Sequence, residues 1–117
     1  MSALGPHRLY RIVEHDPPTL EDFMSDEDLG EPPPEDADRQ TLRMWRGISV
    51  FATEAQARAK ATRLPLGDYI AEVEVPPGAD LKIERTGGKR ARGHHTLWAR
   101  PEEIARWVTS VVRVKID

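Results

Sequence analysis

Alternating apolar and polar positions predict several short β-strands along this chain. The clearest run covers residues 69–75, where Glu72 and Glu74 lie on one side and apolar or aromatic residues lie on the other. Residues 108–116 alternate in the same way, so they are predicted to form a closing strand. Runs of β-branched and aromatic residues predict further strands at 9–13, 48–52, 81–85 and 94–98.

Capping residues and prolines predict the helices between these strands. Thr53 is a suitable N-cap for an alanine-rich helix at 54–63, whose composition has a high helix propensity. Thr19 is a similar cap for a helix over roughly residues 20–28. Two further helices are predicted, at about 39–46 and from Pro101 onwards.

The order of these elements predicts the fold class. Strands that follow one another closely in the C-terminal half favour an antiparallel arrangement over a doubly wound parallel one. We therefore predict an α+β fold, a single small domain over residues 1–117 with a mixed or mainly antiparallel sheet and three to four short helices. One sheet is expected to hold the strands at 9–13, 48–52, 69–75 and 108–116, with the 54–63 helix packed on it.

Composition excludes several classes of protein. The 117 residues fit one domain of ordinary size. The absence of cysteine excludes disulfides, zinc–thiolate sites, iron–sulfur clusters and cysteine nucleophiles. No apolar run approaches the roughly 20 residues that span a bilayer, and the first residues lack the apolar stretch of a signal peptide. We expect a soluble, cytoplasmic protein with no membrane association.

The net charge of −3 conceals a strong segregation of charge. An acidic, proline-rich insert at about residues 14–38 holds 11 of the 20 acidic residues and no Lys or Arg. The rest of the chain is basic. Such a like-charged block is commonly a solvated loop, and it could also cover a basic groove or dock on a basic partner. Its stretch from Gly30 to Asp38 is predicted to be a loop, because its prolines interrupt a helical hydrogen-bond ladder.

A glycine-rich basic loop is the first candidate for ligand binding. Residues 82–92 contain five basic side chains opposed only by Glu84, and Gly87 and Gly88 expose main-chain amides that could hold an anion. NAD, another phosphate-bearing ligand or RNA would suit this loop, as would plain solvent. Neither the phosphate-loop spacing nor the dinucleotide-fold glycine spacing is present.

Two adjacent histidines are candidates for acid–base chemistry. His94 and His95 lie on a predicted strand, so they point to opposite faces and cannot bind one metal ion together. We therefore predict no metal site there. Either imidazole titrates near neutral pH and could act as a general acid or base. Arg11 and at least one of these histidines are expected to line the same concave surface. If an anionic ligand binds there, Arg11→Ala is expected to abolish its binding and to leave folding intact.

Three stretches of the chain resemble the ADP-ribosyltransferase-like superfamily. They are Leu-Tyr-Arg at 9–11, the strand and helix Gly-Ile-Ser-Val-Phe-Ala-Thr-Glu-Ala-Gln-Ala at 47–57, and Tyr-Ile-Ala-Glu-Val-Glu-Val-Pro at 69–76. The resemblance covers about residues 9–76. It implies an ADP-ribosyltransferase-like fold, NAD as the cofactor, and a transferase, either small and bacterial toxin-like or degenerate and able only to bind NAD.

The resemblance also implies roles for individual residues. Arg11 matches the first-strand arginine that holds a phosphate of NAD. Thr53 matches the last hydroxyl of a Ser-Thr-Ser element, and Ser49 lies four residues earlier. Glu72 and Glu74 form a Glu-x-Glu pair like the family's catalytic pair, although they lie on the third predicted strand rather than on a late one. The expected cleft adds three further residues: His94 and His95 as catalytic candidates and Trp98 as a cofactor contact.

Two other classes of function remain open at this point. The first is a non-enzymatic partner-binding module that docks its acidic proline-rich segment, Asp16 to Asp38, on a basic protein. The second is a nucleic-acid-directed domain that uses the basic loop at 82–92 together with His94 or His95. Titration with NAD separates the transferase-like hypothesis from the partner-binding and nucleic-acid hypotheses. A steep salt dependence of RNA binding would identify the nucleic-acid-directed domain.

Overall fold

Six strands form one antiparallel sheet in the computed structural model, which describes residues 7–79, 81–87 and 93–115. The strands are β1 His7–Val13, β2 Ile48–Phe51, β3 Tyr69–Val75, β4 Lys82–Arg85, β5 His94–Trp98 and β6 Val108–Arg113. Their order across the sheet is β4-β5-β2-β1-β3-β6. Each neighbouring pair runs antiparallel, so the α+β prediction with a mainly antiparallel sheet is confirmed.

Three α-helices and one 3₁₀-helix connect the strands within the described residues. They are the 3₁₀-helix Leu20–Phe23, α1 Arg39–Trp45, α2 Glu54–Arg63 and α3 Pro101–Arg106. The Asp38 carboxylate accepts a hydrogen bond from the Thr41 N–H and caps α1. The Thr53 hydroxyl accepts one from the Gln56 N–H, so the predicted cap starts α2. None of these helices has the length and apolar character that crossing a lipid bilayer requires.

The predicted helix over residues 20–28 is wrong beyond Phe23. After that residue the chain forms a turn in which the side chains of Ser25 and Asp28 each accept a hydrogen bond from the main-chain N–H of the other residue. The Asp28 carboxylate accepts from the Ser25 N–H at 3.2 Å, and the Ser25 hydroxyl accepts from the Asp28 N–H at 3.1 Å. Such side-chain bonds to the main chain compete with helix continuation. The stretch from Gly30 to Asp38 contains no helix, as predicted.

The two faces of the sheet are buried by different elements. One face carries Leu9, Val50, Val73 and Leu97 and packs with Phe23 from the 3₁₀-helix and Ile104 from α3, all of them buried. The opposite face carries Phe51 and Ile70 and is covered by α2 through Ala57 and Ala61, which lie one helical turn apart. Their small side chains let α2 approach the strands closely. The four strands expected to share a sheet do so, and the 54–63 helix packs on it.

The closing strand ends earlier than predicted, at Arg113. The Arg58 guanidinium on α2 donates to the main-chain carbonyl of Arg113 at 2.7 Å and also to the carbonyl of Val114. These bonds tie the end of β6 to the helix. Ile116, which the prediction placed in this strand, lies outside the described residues.

Candidate functional site

A cavity of about 250 Å³ lies where β1 and β2 meet α2. Its lining residues are Arg11, Ile12, Ser49, Phe51, Lys60, Leu66 and His94; we call it the Arg11 cavity. Three residues singled out from the sequence, Arg11, Ser49 and His94, meet here. The prediction that Arg11 shares a concave surface with one of the two histidines is therefore confirmed for His94.

Arg11 is held in place by main-chain carbonyls of two other segments. Strands β1 and β2 pair at a single position, where Tyr10 lies opposite Phe51. Next to that pair, Arg11 Nη1 donates to the Ser49 carbonyl at 2.9 Å, and Nε donates to the Asp22 carbonyl at 3.0 Å. A guanidinium has five N–H donors, so these contacts leave donors for a ligand. Among the described residues, Nη2 has no hydrogen-bond partner.

The electrostatic character of the cavity is positive. Burial lowers the pKa of Arg11 to about 10, while the nearby carboxylates of Asp22 and Asp26 act in the opposite direction. Arg11 is therefore still protonated at neutral pH. Lys60, half-buried on α2, adds the positive charge of its ammonium group to that of Arg11 in the same cavity. No Asp or Glu belongs to the lining as far as the described residues extend.

His94 lines the cavity and belongs to a chain of hydrogen bonds. Its Nδ1 lies 2.9 Å from the Thr86 hydroxyl, which in turn lies 2.9 Å from the hydroxyl of Thr96. The ring meets Phe51 edge to face, with 5.5 Å between centroids. Burial lowers the pKa of His94, and the charges of Lys60 and His95 lower it further. The imidazole is therefore neutral at pH 7.

The lowered pKa of His94 predicts a loss of stability in mild acid. The unfolded chain has the ordinary pKa of 6.5, so below that pH it binds a proton more readily than the folded protein does. Stability is therefore greatest above pH 6.5 and falls as the pH drops. We expect the wild type to lose more free energy of unfolding between pH 7 and pH 5 than His94→Gln, measured by urea unfolding at each pH. Equal losses of unfolding free energy in the two proteins would contradict the assignment of a lowered pKa to His94.

The other predicted cofactor and histidine positions lie outside the Arg11 cavity. Thr53 caps α2 instead. His95 pairs with Val50 across the strands, and its Nδ1 lies 2.9 Å from the Gly93 carbonyl. Trp98 donates from Nε1 to the Arg43 carbonyl at 2.8 Å, with the Arg43 and Lys82 cations 5.2 and 5.8 Å from its ring centroid. These contacts give each side chain a structural role.

The two predicted catalytic carboxylates also lie away from the cavity. Glu72 accepts hydrogen bonds from the Thr109 hydroxyl at 2.6 Å and from the Tyr10 hydroxyl at 3.1 Å. Hydrogen bonds from Thr109 and Tyr10 lower the pKa of Glu72, so the carboxylate is ionised and already accepts two hydrogen bonds. Glu74 borders a separate depression beside Trp107. Neither glutamate lines the Arg11 cavity, because β3 pairs Glu72 with Tyr10 and Glu74 with Arg8, whose side chains lie on the opposite face of the sheet from that of Arg11.

The part of the chain that the structure describes contains one group of potential metal ligands, Glu14, His15 and Asp22, whose ligand atoms lie within 4.8 Å of one another. The Asp22 carboxylate already accepts from the N–H groups of Glu14 and Thr19, both at 2.9 Å, and contacts His15 Nδ1 at 3.1 Å. Burial raises the pKa of Asp22, but these hydrogen bonds outweigh it and the pKa is lowered. These contacts hold together the loop between Glu14 and Asp22, so the three residues have a structural role.

The basic loop can be located only in part. Lys82 and Arg85 lie on β4, whereas residues 88–92, with the other three basic side chains, lie outside the described residues. Sequence reasoning missed four lining residues, Ile12, Phe51, Lys60 and Leu66; Ile12 and Phe51 were predicted only as strand residues. Lys60 belongs to an alanine-rich helix and Leu66 to a short loop, and neither position carries a sequence signal for binding.

Comparison of the chain with models of known protein families, with characterised proteins and with solved structures found no match.

Proposed function

We propose that this protein is a degenerate ADP-ribosyltransferase-like domain that binds an NAD-class nucleotide through a phosphate and does not transfer ADP-ribose. The observation that carries the proposal is the donor set of the Arg11 cavity. Arg11, Lys60 and His94 line it together with Ser49, and no carboxylate among the described residues does. An anionic ligand fits this set, and a cation does not.

Arg11 would hold the phosphate. A planar guanidinium matches two phosphate oxygens better than an ammonium does. The bonds from Nε and Nη1 to main-chain carbonyls fix the side chain before a ligand arrives, so little rotamer entropy is lost on binding. Lys60 would neutralise the second phosphate charge, and Ser49 offers a hydroxyl at the exposed side of the cavity.

The size of the cavity limits how much of the nucleotide enters. Small-molecule sites commonly enclose roughly 300–1,000 Å³, and the Arg11 cavity has about 250 Å³. It therefore takes a phosphate with part of the adjoining ribose. Leu66, 46% exposed, lies at the rim, where it offers apolar surface to the part of the nucleotide that stays outside.

The position of the carboxylates argues for binding without transfer. NAD, when bound, supplies a ribose carbon that carries nicotinamide as its leaving group. Stabilising charge on that ribose calls for a carboxylate close to it. Glu72 is engaged by Tyr10 and Thr109, and Glu74 borders another depression. The chain's own residues therefore bind and orient the phosphate.

Isothermal titration of the full chain with NAD in low-salt buffer tests this function. Lys60→Gln should weaken binding about fivefold, because it removes one partly exposed charge from the cavity. Arg39→Gln, which removes an exposed charge at the start of α1, should leave the affinity unchanged. No nicotinamide should be released on incubation.

Two results would overturn the proposal. One is the absence of binding at millimolar NAD. The other is equal weakening by Lys60→Gln and Arg39→Gln, which would indicate attraction to the overall charge of the protein and not to the Arg11 cavity. Release of nicotinamide would refute the non-catalytic part alone.

A further inference from the structure

A second and larger cavity, of about 670 Å³, lies between the end of α2, the start of β3 and the end of β6. We call it the Arg113 cavity. Residues Arg63, Asp68, Tyr69, Arg113 and Lys115 contribute to its lining. None of them lines the Arg11 cavity, so nothing proposed for that cavity bears on this one.

Positive charge dominates this lining. Arg63, Arg113 and Lys115 are opposed by the single carboxylate of Asp68. None of the three cations takes part in an ion pair within the described residues. The C-terminal end of α2 adds about half a negative charge, which three full positive charges outweigh. Like charges around a concave surface reinforce one another's potential and attract anions.

The walls of the cavity are fixed by main-chain contacts. The Val114 N–H donates to the Asp68 carbonyl at 2.9 Å, which joins the two strands at the cavity. Arg58 holds the carbonyls of Arg113 and Val114 from α2. Gly67, also in the lining, lies so close to the Val13 carbonyl that a Cβ there would clash with it. These contacts fix the main chain that carries the basic side chains.

Apolar surface accompanies the charges. Tyr69 is half-buried, and Leu64 is 44% exposed although it lines the cavity. Pro65 and Val114 complete this part of the lining. A ligand that suits both parts combines an anionic group with a flat apolar group. The volume lies within the roughly 300–1,000 Å³ of small-molecule sites.

We propose that the Arg113 cavity binds a small phosphorylated molecule that carries a flat apolar group, of which a nucleoside monophosphate is the simplest example. The phosphate contacts Arg63, Arg113 and Lys115, and the flat group lies against Tyr69 and Leu64. This binding is independent of the proposed NAD site, since the two cavities share no lining residue.

The test is a titration of the full ¹⁵N-labelled chain with AMP, followed by amide chemical shifts. Saturable shifts are expected in residues 67–69 and 113–115, which do not line the Arg11 cavity. Adenosine, which lacks the phosphate, should cause much smaller shifts at the same concentration. The double variant Arg63→Gln with Lys115→Gln should bind AMP about 25-fold more weakly, or about fivefold for each exposed charge removed.

Asp68 gives a test of opposite sign. Asp68→Asn removes the opposing negative charge and should tighten AMP binding about threefold. Arg39→Gln is the matched control, since it removes an exposed positive charge that lines neither cavity; it should leave these shifts unchanged. The proposal is overturned if AMP does not shift residues 67–69 and 113–115, if adenosine binds equally well, or if Asp68→Asn fails to tighten binding.

Discussion

Replacing Phe23 with alanine should lower the free energy of unfolding by about 4 kcal/mol. Phe23 is 1% exposed and packs in the core with Leu9, Val13 and Ile104. Truncating a buried phenylalanine removes its transfer free energy and leaves a cavity, which together give a loss of this size. Chemical denaturation, followed by circular dichroism, measures the effect.

Leu20→Ala is the matched control for this change. Leu20 belongs to the same 3₁₀-helix but is 41% exposed. Its truncation should cost less than about 1 kcal/mol, because little apolar surface returns to water. Similar losses for the two variants would contradict the packing of the 3₁₀-helix on the sheet. That packing matters for the candidate site, because the Asp22 carbonyl that holds Arg11 belongs to this helix.

Arg11→Ala should lower the free energy of unfolding by about 3 kcal/mol and also abolish NAD binding. The substitution removes the charged donor from the part-buried Asp22 carbonyl and from the exposed Ser49 carbonyl. A hydrogen bond from a charged group contributes about 1.5–3 kcal/mol, and the exposed one contributes least because water replaces the donor. The sequence-based expectation that alanine at position 11 would leave folding intact is thus revised by these two bonds. Unfolding curves and an NAD titration under conditions that keep the variant folded separate the two effects.

Arg8→Ala supplies the comparison for Arg11. Arg8 lies on the same strand and is exposed, and its side chain makes no hydrogen bond to another described residue. A substitution there should change the free energy of unfolding by less than about 0.5 kcal/mol. If Arg11→Ala were as mild as Arg8→Ala, the guanidinium would not bridge β1 and β2 in solution.

Local sequence signals predicted most of the elements. The alternation at 69–75 matches β3 residue for residue, and the cap at Thr53 marks the start of α2. The prediction failed at residues 24–28, where apolar spacing suggested a longer helix. The turn there depends on side-chain bonds between Ser25 and Asp28, and Ser and Asp in such positions also occur in helices.

The candidate site was only partly predictable, because it depends on how distant elements pack. Arg11 and His94 could be named from residue chemistry, but Lys60 joins them only because α2 crosses β1 and β2. The family resemblance placed Glu72 with Arg11. The strand register places Glu72 opposite Tyr10, so its side chain lies on the other face of the sheet from that of Arg11. Trp98 is held by the Arg43 carbonyl of α1, a pairing that no local pattern indicates.

A crystal structure of the full chain grown with NAD tests the phosphate-binding role of the Arg11 cavity most directly. We expect a phosphate oxygen of the nucleotide within about 3 Å of Arg11 Nη2, with Lys60 on its other side and Glu72 still bonded to Tyr10 and Thr109. Nucleotide bound elsewhere while the Arg11 cavity holds only solvent, or no bound nucleotide at millimolar NAD, would contradict this role.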